Sequence, residues 1–300
     1  MIAHAALPRH LPRWQHLVTP TWLAALIAGR PVVAAPTGSW RLFEVGCEDA
    51  ALFAEAHIPG AGYLETCHLE HGPVWNKVPD PALLELLLAK GIRHDTTVLL
   101  YGRNTLAAAR AAHLMLYAGV QDVRLLDGGF GAWVSSGGEL ATGAAVAHAP
   151  AADFGVDFPA HPEYLMDMRQ VKDLMRRDDG VLVSIRTWQE FTGQTSGYGY
   201  IEAKGEIPSA RWGRAGRDGD VHCMGDFHRA DGTMKPAHEI QAFWREAGIH
   251  AGQRNTFYCG TGWRASLAFF YAWLMAWERI SVYDGGWCEW SREPEHLAAA

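Results

Sequence analysis

Short runs of branched and aromatic residues alternate along this chain with segments of helix length, the pattern of α/β units around a mostly parallel sheet. The pattern occurs twice. Residues 89–133, AKGIRHDTTVLLYGRNTLAAARAAHLMLYAGVQDVRLLDGGFGAW, align without a gap with residues 246–290, EAGIHAGQRNTFYCGTGWRASLAFFYAWLMAWERISVYDGGWCEW. Each copy reads as a helix ending at Gly91 or Gly248, a strand (TTVLLYG or NTFYCG), a loop, an Ala- and aromatic-rich helix, a second strand (VRLL or ISVY) and an Asp-Gly-Gly turn followed by Trp133 or Trp290. Earlier landmarks repeat more loosely: WRLFEVG (40–46) resembles VLVSIRT (181–187), and HIPGA (57–61) resembles EIPSA (206–210). The expectation is two similar α/β domains, 1–148 and 149–300, joined by the Ala-rich, weakly patterned ATGAAVAHAPAADFG.

Residues 17–35, LVTPTWLAALIAGRPVVAA, have the apolar character of a signal peptide. Pro20 directly before TWLAALIAG favours a short helix opened by threonine or proline and ended by Gly29. No segment has the run of apolar residues that a membrane span needs, so no membrane partner is expected.

Composition narrows the function classes. The formal charge of -7 and the lack of a basic tract argue against nucleic acid as a partner. Five cysteines, with no Cys-x-x-Cys pair, are too few for a disulfide scaffold and suit a reduced, cytoplasmic setting. His222, Cys223, Asp226 and His228 cluster in VHCMGDFHRADGTMKP, as do Cys67, His68 and His71, but neither group has a recognised zinc spacing, so neither metal nor cofactor is expected.

Asymmetry between the copies points to chemistry. Position 259 is cysteine in the second copy, whereas the aligned residue of the first is Gly102 between comparable flanks. Cys259 closes an apolar strand, and Gly260-Thr261-Gly262-Trp263-Arg264 leads into the next helix. Such a strand–loop–helix turn aims backbone N–H groups and the positive helix end at one point, where a thiolate is stabilised. The alternative for a lone cysteine is a small buried hydrophobe. Arg186, at the end of VLVSI, has Gly46 as its counterpart and is lost together with the cysteine, which makes it the first candidate to hold an anionic substrate. Arg264 is the second; its structural alternative is helix capping or pairing with Asp284 or Glu289. The insertion TGQTSGYGYIEAKG, 192–205, lengthens only the second copy and brings Tyr198 and Tyr200 as candidates to line the donor pocket or supply a proton.

At YCGTGWRAS, DGGWCEW and HIPGA the chain resembles the tandem-domain rhodanese-type sulfurtransferases, over nearly its whole length. The resemblance implies two rhodanese-like domains, a silent N-terminal one and a catalytic C-terminal one. It further implies a persulfide on Cys259, loaded from 3-mercaptopyruvate or thiosulfate and passed to a thiol, cyanide or a protein cysteine. Residues 260–264 would cradle the anionic sulfur, Thr261 would position or protonate a leaving group, and Arg186 would bind the donor. His57, in the first HIPGA, matches a histidine that such enzymes contribute across domains; the alternative is a structural role. SGYGYIEAKGEIPSARWG also resembles polysulfide-dependent ergothioneine-forming proteins, with Tyr200 the better match to their active-site tyrosine, and implies sulfuration of a histidine betaine as an alternative. Trp212 and Trp263 would then offer aromatic faces to the cation. A noncatalytic sulfur carrier or binding scaffold is a further alternative, and so is a phosphatase, although Cys259-x4-Arg264 is one residue short of a phosphate-binding Cys-x5-Arg loop.

Overall fold

The computed structural model describes residues 10–293. They form two compact units: one runs through Glu70 and adds Lys77–Pro162 and Asp231–Thr233, and the other comprises His71–Asn76, Glu163–Ala230 and the chain from Met234. The division falls at Pro162 rather than at 148 because the Ala-rich stretch is tied to the first unit. The N–H groups of Ala151, Ala160 and His161 donate to the carbonyls of Leu88, Ala118 and Tyr117.

The first unit carries strands β1 (Leu17–Val18), β2 (Trp40–Gly46), β3 (Gly62–Glu65), β4 (Thr97–Tyr101) and β5 (Asp122–Leu126), in the sheet order β1-β5-β4-β2-β3. The second carries β6 (Leu165–Met166), β7 (Gly180–Ser184), β8 (Arg211–Trp212), β9 (Arg254–Tyr258) and β10 (Ile280–Tyr283), in the order β6-β10-β9-β7-β8. The two orders are the same, and every pairing in both sheets is parallel. The expected pair of parallel α/β domains is therefore what the chain builds.

Helices α1 (Pro20–Ile27), α2 (Ala50–Glu55), α3 (Asp80–Ala89), α4 (Thr105–Ala118) and α5 (Gly129–Ser135) belong to the first unit; α6 (Met168–Leu174), α7 (Trp188–Phe191), α8 (Ala237–Glu246), α9 (Trp263–Leu274) and α10 (Gly286–Trp290) belong to the second. The helix expected near residue 21 is α1, capped by the Thr19 side chain at the Trp22 N–H. α4 and α9 are the aligned apolar helices of the repeat. Every residue of α4 from Leu106 onward and of α9 from Arg264 onward is buried, as helices apolar on all sides require. α8 is one-sided, burying Ala237, Ile240 and Trp244 at helical spacing. Among the described residues no helix is long and apolar enough to cross a membrane.

The repeated Asp-Gly-Gly turn has a steric cause. In each unit its second glycine has positive φ, +57° at Gly129 and +54° at Gly286, and its backbone lies directly against the strand–loop carbonyls. A Cβ at Gly129 would sit 2.6 Å from the Gly102 carbonyl oxygen, and one at Gly286 would sit 2.5 Å from that of Cys259. The following N–H groups then staple the loop: Phe130 donates to Gly102 at 3.0 Å, and Trp287 to Cys259 at 2.8 Å. Gly129→Ala should therefore lower stability by about 2 kcal/mol. Gly131→Ala, in the same helix with nothing within 4 Å of its added methyl, should be neutral or mildly stabilising. Urea unfolding of both variants checks this; equal effects would contradict the close-approach explanation.

Candidate active site

Cys259 follows the last residue of β9, at the C-terminal end of the central strand of the second sheet. Its side chain is fully buried, and Sγ accepts a hydrogen bond from the Gly262 N–H at 3.2 Å. Gly262 is the N-cap of α9 with φ +99°, a conformation that glycine adopts without strain, and it turns the loop so that the helix starts beside the sulfur. Negative charge on Cys259 therefore meets a backbone donor and the positive end of a 12-residue helix. The α10 turn fixes the loop from the other side, with the Trp287 and Cys288 N–H groups on the carbonyls of Cys259 and Gly260. Thr261 is nearly buried, and Trp263 opens α9 with its ring 6.2 Å from that of His222.

The arginines are placed differently from one another. Arg264 is buried, and its two terminal nitrogens each donate to one oxygen of Glu190 at 2.8 Å; Nη2 also donates to the Tyr198 hydroxyl at 2.8 Å. Its partner is thus Glu190 and not the Asp284 or Glu289 considered from the sequence. This bidentate pair occupies both terminal nitrogens of Arg264. Burial works to raise the Glu190 carboxyl, but the hydrogen bonds and charge of Arg264, the Thr187 N–H and the charge of Arg186 outweigh it and hold the group below the usual carboxylate range.

Arg186 is also fully buried. Nη1 donates to the Gly205 carbonyl at 2.7 Å and lies 3.4 Å from Glu206, Nε is 3.7 Å from Glu190, and the guanidinium lies over the Trp287 ring. Nη2 is a buried donor with no hydrogen-bond partner among the described residues. Glu206 accepts from Ser184, from the Ile207 N–H at 2.7 Å and from the Tyr258 hydroxyl. Burial raises the Glu206 carboxyl, and the charge of Arg186 and these hydrogen bonds only partly oppose it.

The insertion 192–205 is fastened to these groups. Gly205 is tied to Arg186, Ala203 accepts from the Trp287 indole at 2.9 Å, and Tyr198 reaches Arg264. The Tyr198 ring lies directly on the sulfur loop, since a Cβ on Gly260 would fall 2.2 Å from it. Tyr200 is 51% exposed; its ring lies 5.5 Å from that of Tyr198 and 6.2 Å from that of Trp75. Tyr198 thus contacts the cysteine loop, while Tyr200 is half exposed next to Tyr198. Trp212 donates to the Arg186 carbonyl at 2.8 Å.

In the first unit the corresponding place is filled. A Cβ at Gly102 would lie 2.5 Å from the Asn104 carbonyl oxygen and 2.9 Å from that of Val45, leaving no room for a thiol; a Cβ at Gly46, the counterpart of Arg186, would collide with the Tyr63 hydroxyl. His57 is buried within its own unit, stacked on Phe53 at 4.0 Å with Nδ1 2.8 Å from the Phe53 carbonyl oxygen.

Glu190 and Tyr198's partnership with Arg264 were not evident from the repeat. One sequence signal was available: Thr187-x-x-Glu190 is a capping box, and both of its hydrogen bonds form at the start of α7. Glu190 thereby closes a helix cap and an ion pair with one carboxylate.

The rhodanese-like domain family matches residues 19–136 and 167–293. Thiosulfate sulfurtransferase YnjE of Escherichia coli (strain K12) is 51% identical over 96% of this chain and 66% of its own length, so the chain spans slightly less than two thirds of that relative. The crystal structure of YnjE superposes with a TM-score of 0.92 over 95% of this chain and 68% of that one. The sulfur carrier protein TtuD of Thermus thermophilus is 31% identical over 83% of this chain and 87% of its own length. An anaerobic ergothioneine biosynthesis enzyme from Chlorobium limicola, in complex with trimethyl histidine, superposes at a TM-score of 0.90 with 35% identity, over 95% of this chain and 70% of that one.

The two carboxylates give opposite pH signatures. Glu190, held low in the fold, adds stability that is present above the usual carboxylate range and lost as pH falls through its lowered value. Glu206, held high, adds stability that is complete below that range and lost as pH rises toward its raised value. Glu206→Gln should remove the second slope and leave the first, as measured by urea unfolding from below the usual carboxylate range up to neutral pH. A slope unchanged in the variant would show that Glu206 does not carry it.

Proposed function

The chain belongs to the rhodanese-like family, and from that premise we propose that it is a sulfurtransferase that carries a sulfane sulfur on Cys259. One observation carries the reading: in the second unit alone, a cysteine ends the central strand with its sulfur on the N-cap N–H of a buried helix. That environment favours a sulfur anion, whether thiolate or persulfide.

The Cys259 thiolate forms a bond to the outer sulfur of the donor. With thiosulfate, the donor's S–S bond breaks and its electron pair leaves with sulfite. In the second half-reaction cyanide or a thiolate bonds to the outer sulfur, and the pair of the broken bond returns to Sγ. Thiosulfate is the donor in the names of several relatives; with 3-mercaptopyruvate the same nucleophile would break the C–S bond, whose electron pair leaves with the pyruvate enolate. Arg186 is the residue we assign to the anionic donor, because Nη2 remains a buried donor beside a carboxylate whose raised pKa weakens its claim on the guanidinium. Thr261 is assigned to positioning in the loop, with Gly260, Gly262 and Trp263 shaping it. We leave His57 a supporting role in its own unit, where its hydrogen bond and stacking account for its burial. The acceptor is a thiol, cyanide or a protein cysteine, and the five free cysteines suit a reducing setting such as the cytoplasm.

Incubation of the full chain with thiosulfate, 3-mercaptopyruvate or polysulfide, followed by mass spectrometry, should show one added sulfur atom on Cys259, removed by cyanide. Cys259→Ser should show none. Loading without turnover on any small acceptor would favour a sulfur carrier, and transfer to trimethylated histidine would favour the ergothioneine-type reaction. Absence of Cys259-dependent loading from every donor would overturn the proposal.

A further inference from the structure

We propose that Cys47 and Cys67 of the first unit are an oxidisable dithiol, a modification site at which a hydroperoxide closes an intramolecular disulfide. The inference stands apart from the sulfurtransferase reading, because both thiols lie in the unit that lacks the Cys259 loop.

Strand pairing brings the two residues together. β2 and β3 are adjacent and parallel, and their last paired residues are Gly46 and Glu65. Cys47 follows Gly46 directly, and Cys67 stands two residues after Glu65, so the pair is one diagonal step beyond the end of the ladder. Neighbouring strands run about 4.8 Å apart and rise about 3.3 Å per residue, which makes such a diagonal about 6 Å between Cα atoms. A disulfide spans about 4.4–6.8 Å.

Glu65 holds the two segments side by side past the strand ends. Its Oε1 accepts from the Glu48 N–H at 2.9 Å and from the Thr66 N–H at 3.2 Å, so one oxygen ties the residue after Cys47 to the residue before Cys67. The Tyr63 hydroxyl donates to Oε2 at 3.0 Å and fixes the carboxylate. Both chains turn at this clamp. Glu48 has φ +61°, uncommon outside glycine, and leads into α2; Thr66 opens the short 3-10 turn Thr66–His68 that carries Cys67. Burial pushes the Cys67 thiol up, and the charges of Glu65 and of Cys47 itself add to it, as expected of neighbouring sulfurs.

Access separates this pair from the rest. Cys47 and Cys67 are both exposed, whereas Cys259 and Cys288 are buried and Cys223 lies in the second unit. In a reducing setting the pair stays a dithiol. With a hydroperoxide, one thiolate bonds to a peroxide oxygen and the O–O bond breaks, its electron pair leaving with hydroxide or alkoxide. The second thiolate then bonds to the sulfenic sulfur and the S–O bond breaks, releasing water. Two thiols give up two electrons and two hydrogens, and one hydroperoxide is reduced. The bond would join the end of β2 to the turn after β3 and enclose α2 in the loop between them.

The test is mass spectrometry of the reduced full chain after hydrogen peroxide and then alkylation. Cleavage after glutamate separates the two cysteines at Glu48, Glu55 and Glu65. The expected product is a monomer two hydrogens lighter, with the Cys47 and Cys67 peptides linked, both lost to alkylation and both recovered by dithiothreitol. Cys67→Ser should yield no linked peptide and should leave Cys47 as a sulfenic acid that dimedone captures; if that variant does not fold, the map of the native protein decides. Separate oxidation of the two thiols without a link, a link between two copies of the chain, or a link from either thiol to another cysteine would overturn the proposal.

Discussion

The buried pair of Arg264 and Glu190 is the interaction on which the rest of the site depends. Arg264 opens the helix that follows the sulfur loop, Glu190 closes the cap of α7, and their two 2.8 Å bonds join elements far apart in the chain. Isolated, either charge would be costly in this position. Removing one partner of such a pair typically costs about 3–5 kcal/mol. Paired, they form a rigid fork, and Arg264 Nη2 also donates to Tyr198, whose ring lies over Gly260. A neighbouring pair, Arg186 and Glu206, fastens the far end of the same segment through Gly205. The insertion found only in the second copy is thus a cover sewn down by charged groups that the first copy lacks.

Duplication explains why the comparison within one chain is so informative. Both units use the same strand order and the same glycine to press a turn against the strand–loop carbonyls. They diverge where chemistry would occur. The loop of the first unit folds back on Gly102 until the Asn104 and Val45 carbonyls occupy the space of a side chain, and the Tyr63 hydroxyl fills the place that corresponds to Arg186. The paired tyrosines also meet different partners. Tyr101 accepts from the Ile58 N–H at 3.1 Å, whereas Tyr258 donates to Glu206, the residue that replaces His57. In the first unit a side chain at 102 would meet the Asn104 and Val45 carbonyls, so a cysteine placed there would need the loop to move.

The fold was legible in the sequence because strand-length and helix-length runs recur in a fixed order, and because the Asp-Gly-Gly turn marks the same steric contact twice. Cys259, Gly262 and the loop were legible for a related reason: a residue that differs between two otherwise matching copies stands out. The ion-pair partner of Arg264 was not, since Asp284 and Glu289 are nearer in sequence and only the folded chain brings Glu190 to it. The sequence favours Tyr200 as the match to an active-site tyrosine, whereas in the fold the Tyr198 ring lies on the cysteine loop, and the preceding Gly197 packs on the Glu190 carboxylate. Glu206 aligns with His57 in the repeat, but the burial that raises its carboxyl comes only with the folded chain, and Arg186, Tyr258 and Ser184 oppose that rise in part.

Backbone hydrogen exchange across residues 192–205 tests most directly whether this charged network holds the cover on the sulfur loop. In Glu190→Gln, exchange should become faster in this segment and at the start of α9 alone, with the sheet strands protected as in the native protein. Unchanged protection of 192–205 in that variant would show that the cover is held by packing alone, and would contradict the dependence of the site on the Arg264–Glu190 pair.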